Sequence, residues 1–289
     1  MKPSSLFFAG SIKIGKSVCP MAFCFVSLHL IDQNKRNAMK HKLSFIALMI
    51  LAALSVTAQT ETPLRLMSYN IHNGIGMDGT TDYARIAAVI DSLNPDIVAM
   101  QEVDSVTHRS NGRDVLAEIA GHTAMNHIFA PAISYDGGKY GIGILSKDIP
   151  LGYHTVALPG REEERVLLVV EFDGFVFACT HLSLTEADRD ASLPVILAEA
   201  GQYGKPFFIA GDFNAEPQSR FMRKFMEKFT VLSATDGKTC PADRPEEMID
   251  YIAVALSSAA AVAPAGSRIV PETTASDHRP VTADVLLGN

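Results

Sequence analysis

The sequence predicts an α/β (α+β) fold in which two partly antiparallel sheets pack face to face and helices cover their outer sides. Three observations carry this. Apolar residues make up 47% of the 289 positions, which is ordinary for a globular chain and excludes wholesale disorder. Segments with helical spacing are mixed with short apolar runs of strand length, and a sheet pair under helices buries both faces of such strands. Asp173-Gly174 joins two apolar runs, a strong hairpin signal that makes part of the sheet antiparallel.

The elements follow in order. Residues 64–71 read as a strand with a polar tip. Ile86, Val89, Ile90 and Leu93 give 82–93 a helical period, with Asp82 as N-cap and Asn94-Pro95 as the stop. Residues 96–103 form a short buried strand that delivers Gln101-Glu102. A second helix fits 114–120, closed by Gly121. From Met125 the pattern turns to strands, with 139–147, 165–172 and 175–182 the clearest. Residues 186–200 read as a helix, with a kink or restart at Pro194. Residues 206–210 form a buried strand running into Gly211-Asp212-Phe213-Asn214. An amphipathic helix fits 219–229, and 248–255 and 280–287 are the last strands. No fixed-period repeat or long linker interrupts 62–289, which is expected to be one domain.

The N-terminal region is expected to lie outside that domain. Met39-Lys40-His41-Lys42, an apolar run from Leu43 to Val56 and then Thr57-Ala58-Gln59 have the form of a signal peptide over 39–58, with cleavage after Ala58. The apolar run is too short to span a bilayer comfortably. The mature protein is thus expected to be exported, periplasmic or extracellular, without a transmembrane segment. Residues 1–38 precede the signal, and the expectation is that Met1 is an upstream mis-start. The rival reading is a cytosolic extension that leaves the signal as an anchor. Seven of the chain's 25 basic residues and one of its 32 acidic residues fall within 1–58, which leaves 59–289 at a formal −13. Such a surface does not by itself attract a phosphate backbone. Two cysteines remain beyond residue 58. An exported chain permits a disulfide, but Cys179 lies in an apolar strand and reads as a buried free thiol; neither it nor Cys240 has metal-ligand spacing.

Candidate chemistry sits at strand ends. Asn70, Glu102 and Asp212 with Asn214 each close an apolar run, Asp277-His278 stands just before one, and His181 and Asp250 add two more. Polar tips carried on a rigid sheet are where sites are commonly built. The set is hard oxygen donors plus two imidazoles, which suits Mg²⁺ better than a sulfur-rich or His-rich zinc site. No Gly-rich loop with Lys-Ser/Thr and no nucleophile elbow is present, so a nucleotide cradle and a serine hydrolase are not indicated. Each residue has a plainer reading as a turn cap, a solvated strand end or a packed histidine. Asp250 is the least plain, because an unpaired buried carboxylate is costly.

Leu66 to Asn70, Gln101-Glu102-Val103, Tyr140-Gly141 to Leu145-Ser146-Lys147, Thr180-His181-Leu182, Gly211-Asp212-Phe213-Asn214, Ile249-Asp250-Tyr251 and Ser276-Asp277-His278-Arg279-Pro280-Val281 together resemble the ordered motifs of the endonuclease/exonuclease/phosphatase superfamily. The resemblance implies a DNase I-like four-layer αββα sandwich and a Mg²⁺-dependent phosphoesterase, with Mn²⁺ as a substitute. It implies Glu102 as primary metal ligand with Asn70 beside it, and Asp277 at the metal and paired with His278. His278 would hydrogen-bond phosphate or act as base. Asp212 would position the attacking water, Asn214 would stabilise developing charge, and Asp250 would orient the polar network. His181 would contact phosphate or protonate the leaving group. Ile142 departs from relatives that carry Asn after Tyr-Gly. Tyr140, Arg165, Arg189, His72, Asn73 and Arg109 are secondary candidates at the rim, and Arg223, Lys224 and Lys228 read as a solvated helix face.

The expected substrate is a small-molecule or phospholipid phosphoester. A secreted nuclease with the same site is the alternative, weakened by the acidic chain and the absence of Trp for base stacking. A catalytically inactive binding module on the same fold is a third reading. Specificity falls to the loops 104–113, 131–139 and 234–247. Mass spectrometry of the native protein is expected to find an N-terminus near Gln59; peptides from 1–38 would contradict the mis-start.

Overall fold

The computed structural model describes residues 63–288 together with Met39. The signal peptide and upstream segment expected over 1–58 lie outside the described residues. The elements below all belong to one compact unit, Glu61–Asn289.

The strands are β1 (Leu64–Asn70), β2 (Ile97–Ser105), β3 (Asn126–Tyr135), β4 (Gly138–Ser146), β5 (Gly152–Leu158), β6 (Arg165–Glu171), β7 (Val176–His181), β8 (Phe207–Asp212), β9 (Phe229–Val231), β10 (Asp250–Ala255), β11 (Val262–Ile269) and β12 (Val281–Leu287). The helices are α1 (Tyr83–Leu93), α2 (Val115–Thr123), α3 (Glu186–Ala200) and α4 (Arg220–Met226). The strands form two six-stranded sheets, ordered β11-β12-β1-β2-β4-β3 and β5-β6-β7-β8-β10-β9.

Strand alternation divides the apolar residues among three cores. Leu66, Ile97 and Ala99 from the first sheet meet Leu168, Phe177 and Phe208 from the second between the sheets. Met67, Val98 and Met100 point the other way, onto Ile86 and Ile90 of α1 and Ile119 of α2. Phe207 and Ile209 likewise face Ile196 of α3 and Phe221 and Phe225 of α4. The central strands are therefore apolar on both faces, and the layers read helix, sheet, sheet, helix. This is the four-layer αββα sandwich that the sequence predicts.

Each sheet has one parallel pair at its centre. β1 runs parallel to β2 with α1 between them in sequence, and β7 runs parallel to β8 with α3 between them. Both crossovers bring the carboxyl ends of two strands to the same edge of their sheet. β10 is antiparallel to β8 and opens at that edge, with Asp250 opposite Asp212.

Local chemistry sets the boundaries. Asp82 caps α1 by accepting from the Arg85 amide at 2.9 Å, and Asn94 closes the helix in the left-handed region before Pro95. Asp114 and Ser219 cap α2 and α4 in the same way. Three helices differ from the sequence reading, two in where they end and one in its continuity. Gly121 does not end α2, which continues to Thr123 and closes on Ala124 at φ 53°. α3 runs continuously through Pro194. α4 stops at Met226, because Phe229 turns inward and stacks on Phe225 at 4.4 Å as β9 begins. β5 and β11 carry mostly exposed side chains, so they lack the apolar signal that marks the inner strands.

Gly211 is required by packing. A Cβ there would strike the Thr180 carbonyl on the neighbouring parallel strand. Gly211→Ala is expected to cost about 1–3 kcal/mol by overpacking in urea denaturation, whereas Gly204→Ala, where a Cβ meets nothing within 4 Å, should fall within about 0.5 kcal/mol of the parent.

Candidate active site

The edge where the parallel strands end holds a cluster centred on Asp212. Asn70 ends β1, His181 ends β7 and Asp212 ends β8, while Asp250 opens β10. Glu102 lies in β2 at a register irregularity between Met100 and Val103, at φ 60°. The irregularity turns the strand so that Glu102 leaves the regular alternation. Asp277-His278 precedes β12, whose Val281 pairs with Ser68 of β1.

Asp212 is 2% exposed. Its Oδ2 accepts from the Asn70 amide at 3.2 Å and lies 3.5 Å from His181 Nε2 and 3.7 Å from His278 Nε2. Its Oδ1 accepts the Asn214 backbone N–H at 2.8 Å. The Asn70 amide also donates to Glu102 Oε1 at 3.0 Å, so one carboxamide joins two carboxylates. Asn214 adopts φ 49° and its side chain donates to Leu182 O at 2.9 Å. That bond ties the loop after β8 to the loop after β7.

His278 Nδ1 lies 2.9 Å from Asp250 Oδ2, and both side chains are buried. The resemblance paired His278 with Asp277, and the structure corrects this. Adjacent residues in the turn project apart: Asp277 stays half-buried near Ser276 Oγ at 3.3 Å and His72 Nδ1 at 3.8 Å, whereas His278 turns into the cluster. Ser276 has a structural role that the sequence does not reveal. Its hydroxyl donates to Asn70 O at 2.8 Å and anchors the 276–278 turn to β1.

The two imidazoles are held in opposite protonation states. Burial pushes His181 down to about 4, against the pull of Asp212. Burial also acts to lower His278, but the adjacent Asp250 charge and hydrogen bond, with Asp212 behind, raise it well above the ordinary histidine value. Burial raises Asp212 above the usual carboxylate range, with Asp250 adding to the effect and the histidines opposing it.

The donor set suits a hard cation. Ligand atoms of Asp212, Asp250 and His278 lie within 4.8 Å of one another. Asp250 Oδ1 is buried with no hydrogen-bond partner. Glu102, Asp212 and Asp250 bring more negative charge than one imidazolium offsets. His278 occupies one oxygen of Asp250, and the half-buried Glu102 stays available to a cation that keeps several waters, with Asp277 on the turn that Ser276 anchors to Asn70 O. The Asn70 NH2 faces Glu102 and Asp212, and its Oδ1 accepts the His72 N–H at 3.1 Å.

The secondary candidates separate. Arg165 is buried and ion-paired with Glu163 at 3.1 Å, and with Tyr140 and His181 it lines a small pocket. Ile142 lines the same pocket and is 2% exposed, so position 142 offers apolar packing there. Arg189 is buried and donates to Ser183 O at 2.8 Å, bracing the loop after His181. His72 lies beside Asp277, and Asn73 is buried at φ 45°. Arg109 is gripped by both oxygens of Asp104 at 2.7 and 2.8 Å, which removes it as a free phosphate ligand. Lys224 of the expected solvated face bonds Asp190 at 2.8 Å, while Arg223 and Lys228 are exposed. Cys179 and Cys240 are both free thiols.

The profile of the Endonuclease/Exonuclease/phosphatase family matches residues 67–278, which contain the whole cluster. The chain belongs to this family. Solved structures share the fold. An endonuclease/exonuclease/phosphatase from Beutenbergia cavernae is 24% identical, with 79% of this chain and 72% of that one covered and a TM-score of 0.63. A mannosyl-6-phosphatase of Bacteroides thetaiotaomicron is 17% identical, with 78% and 100% covered and a TM-score of 0.63. The catalytic domain of human Nocturnin, solved with sulfate, is 18% identical, with 78% and 94% covered and a TM-score of 0.62. No curated protein matches the chain in sequence.

NMR titration is expected to find His181 changing near pH 4 and His278 well above 6.5. The raised His278 stabilises the fold fully below about pH 6.5, and this is lost as pH rises through its folded pKa. The lowered His181 contributes stability above about 6.5 that is lost as pH falls through about 4. Asp250→Asn should bring the His278 titration down toward the ordinary histidine value; an unchanged His278 would contradict the pairing.

Proposed function

We propose that the chain is an exported, divalent-metal-dependent hydrolase of a small or lipid phosphoester. The observation that carries this reading is Asp212 held among two imidazoles and the Asn70 amide that also binds Glu102. Family membership supports hydrolytic phosphoester chemistry. Among proteins of the same fold, one is named a mannosyl-6-phosphatase. The formal −13 of residues 59–289 and the lack of Trp favour a small substrate over a nucleic-acid strand. Among the described residues, no helix is long and apolar enough to cross a membrane.

Glu102 and Asn70, with Asp277 beside them, would hold the cation, Mg²⁺ by the hardness of the donors and Mn²⁺ as a substitute. The chemistry such a cation would supply there is neutralisation of phosphoryl oxygens, which would favour attack by water. The protein's own groups divide the remaining work. Asp212, raised by burial, is suited to orient a water and take its proton at Oδ2. His278, kept protonated by Asp250, donates from Nε2 to a phosphoryl oxygen. His181 is neutral at pH 7, so it serves better as a hydrogen-bond partner of the phosphate than as the proton donor to the leaving group. Asn214 holds Asp212 through its backbone N–H and directs its side chain to Leu182 O. In this state it positions the base.

Turnover of a phosphoester panel in Mg²⁺ is expected to vanish with a chelator and return with Mg²⁺ or Mn²⁺. Asp212→Asn and His278→Ala should each lower kcat by about a hundredfold to ten-thousandfold. No turnover of any phosphomonoester or phosphodiester with either metal would overturn the reading.

A further inference from the structure

Four consecutive side chains of the turn before β12 go to four different places. Ser276 donates to Asn70 O of β1, Asp277 stays beside His72, and His278 reaches Asp250. The fourth, Arg279, donates from Nε to Ala242 O at 2.7 Å.

That carbonyl belongs to a segment strapped against the turn. The Ala242 N–H donates to Asp277 O at 2.7 Å, and the Arg279 N–H donates to Thr239 O at 2.8 Å. Thr239 and Ala242 are both 0% exposed, so water does not compete for these bonds. The strap is closed on itself. The Thr239 N–H donates to Glu247 O at 2.7 Å, and the Glu246 and Glu247 N–H groups each donate to Cys240 O at 2.8 Å. The Thr239 hydroxyl accepts from the Ile249 N–H at 3.3 Å, one residue before Asp250. The Cys240 side chain is a hydrogen-bond partner of the His278 ring. One segment therefore meets the imidazole twice, at Cys240 and again at Asp250. The 234–247 loop, expected to set specificity, is in this part a brace for the site.

We propose that Arg279 is a positioning residue for His278: its Nε–H, through Ala242, fixes the strap to the 277–279 turn and so sets where the imidazole lies. This rests on the phosphoesterase reading above, in which His278 Nε2 donates to a phosphoryl oxygen. Of the three bonds between strap and turn, two are main-chain and survive any substitution at 279. The third comes from the Arg279 side chain. Without it the buried Ala242 carbonyl loses its partner, and the strap shifts to recover one. The shift reaches Asp277 through the Ala242 N–H and His278 through its neighbours. Misplacing a reacting group by about an ångström costs on the order of a hundredfold in rate.

The test separates the Nε–H donor from the charge. Arg279→Gln keeps an N–H donor the same number of bonds from Cα and removes the charge. Arg279→Met keeps the length and removes both. Arg279→Lys keeps the charge and moves the donor one atom outward. The full protein is assayed in Mg²⁺ with p-nitrophenyl phosphate and bis-p-nitrophenyl phosphate, and the His278 ring Cε1–H resonance is recorded at one pH without substrate. For the Met variant, kcat is expected to fall about ten- to a hundredfold with KM within about twofold, and the His278 resonance to move. The Gln variant should keep kcat within about threefold and the resonance in place, and Lys should fall between the two. A Met variant with parental kcat, a Gln variant that loses as much as Met, or a rise in KM with kcat kept, which marks a direct substrate contact, would each overturn the proposal. If melting curves show that the Met variant does not fold, the order of Gln and Lys decides: Gln above Lys supports it, and Lys equal to or above Gln sinks it. Should the parent hydrolyse neither ester, the resonance decides alone. A shift in Met or Lys but not in Gln sustains the positioning and defeats the phosphoesterase reading, and no shift in any variant defeats both.

Discussion

The carboxylate of Asp212 draws polar groups from both sheets onto one point. It belongs to the second sheet, yet it accepts from Asn70 of the first and lies within reach of imidazoles from β7 and from the turn before β12. A buried carboxylate without partners costs several kcal/mol. Asp212 therefore demands that Asn70, His181, His278 and the Asn214 backbone all be in place together. The same requirement that satisfies its charge assembles the cluster.

Topology explains why these groups can meet. Each sheet centres on a parallel pair with a helical crossover, so β1 and β2, and β7 and β8, end at common edges. Packing the sheets through the Leu66, Phe177 and Phe208 core places those edges side by side. The antiparallel β10 and β12 contribute from their beginnings, which lie at the same level. The site is thus built from three strand ends, the irregularity in β2 and two strand starts, each stiffened by pairing on one or both sides. Protonation follows from the same geometry: His181 is buried without a close anionic hydrogen bond and stays neutral, whereas His278 sits against Asp250 and holds its proton.

Much of this is written locally in the chain. Inner strands such as Leu64–Asn70 and Phe207–Asp212 are largely buried and end in a polar residue, so both element and site residue are visible in the residues themselves. Caps such as Asp82 are equally local. Edge strands are not: Gly152–Leu158 and Val262–Ile269 turn most side chains to solvent and exist because a neighbour offers hydrogen bonds. Partner choice within the site is also non-local. Nothing in the sequence of 276–278 says that His278 turns to Asp250, 28 residues earlier, rather than to its neighbour Asp277. The grip of Asp104 on Arg109 is five residues apart in sequence, but its meaning depends on Tyr135 and Tyr140 arriving from the next hairpin.

The central claim is that the acidic and amide tips around Asp212 surround one cation. Anomalous diffraction from crystals soaked in Mn²⁺ tests it directly. The account predicts a peak within about 2.0–2.6 Å of a Glu102 carboxylate oxygen, beside Asn70 and Asp277, that disappears in Glu102→Ala. A peak only at a remote surface carboxylate, or one beside Asp212 that survives the loss of Glu102, would contradict it.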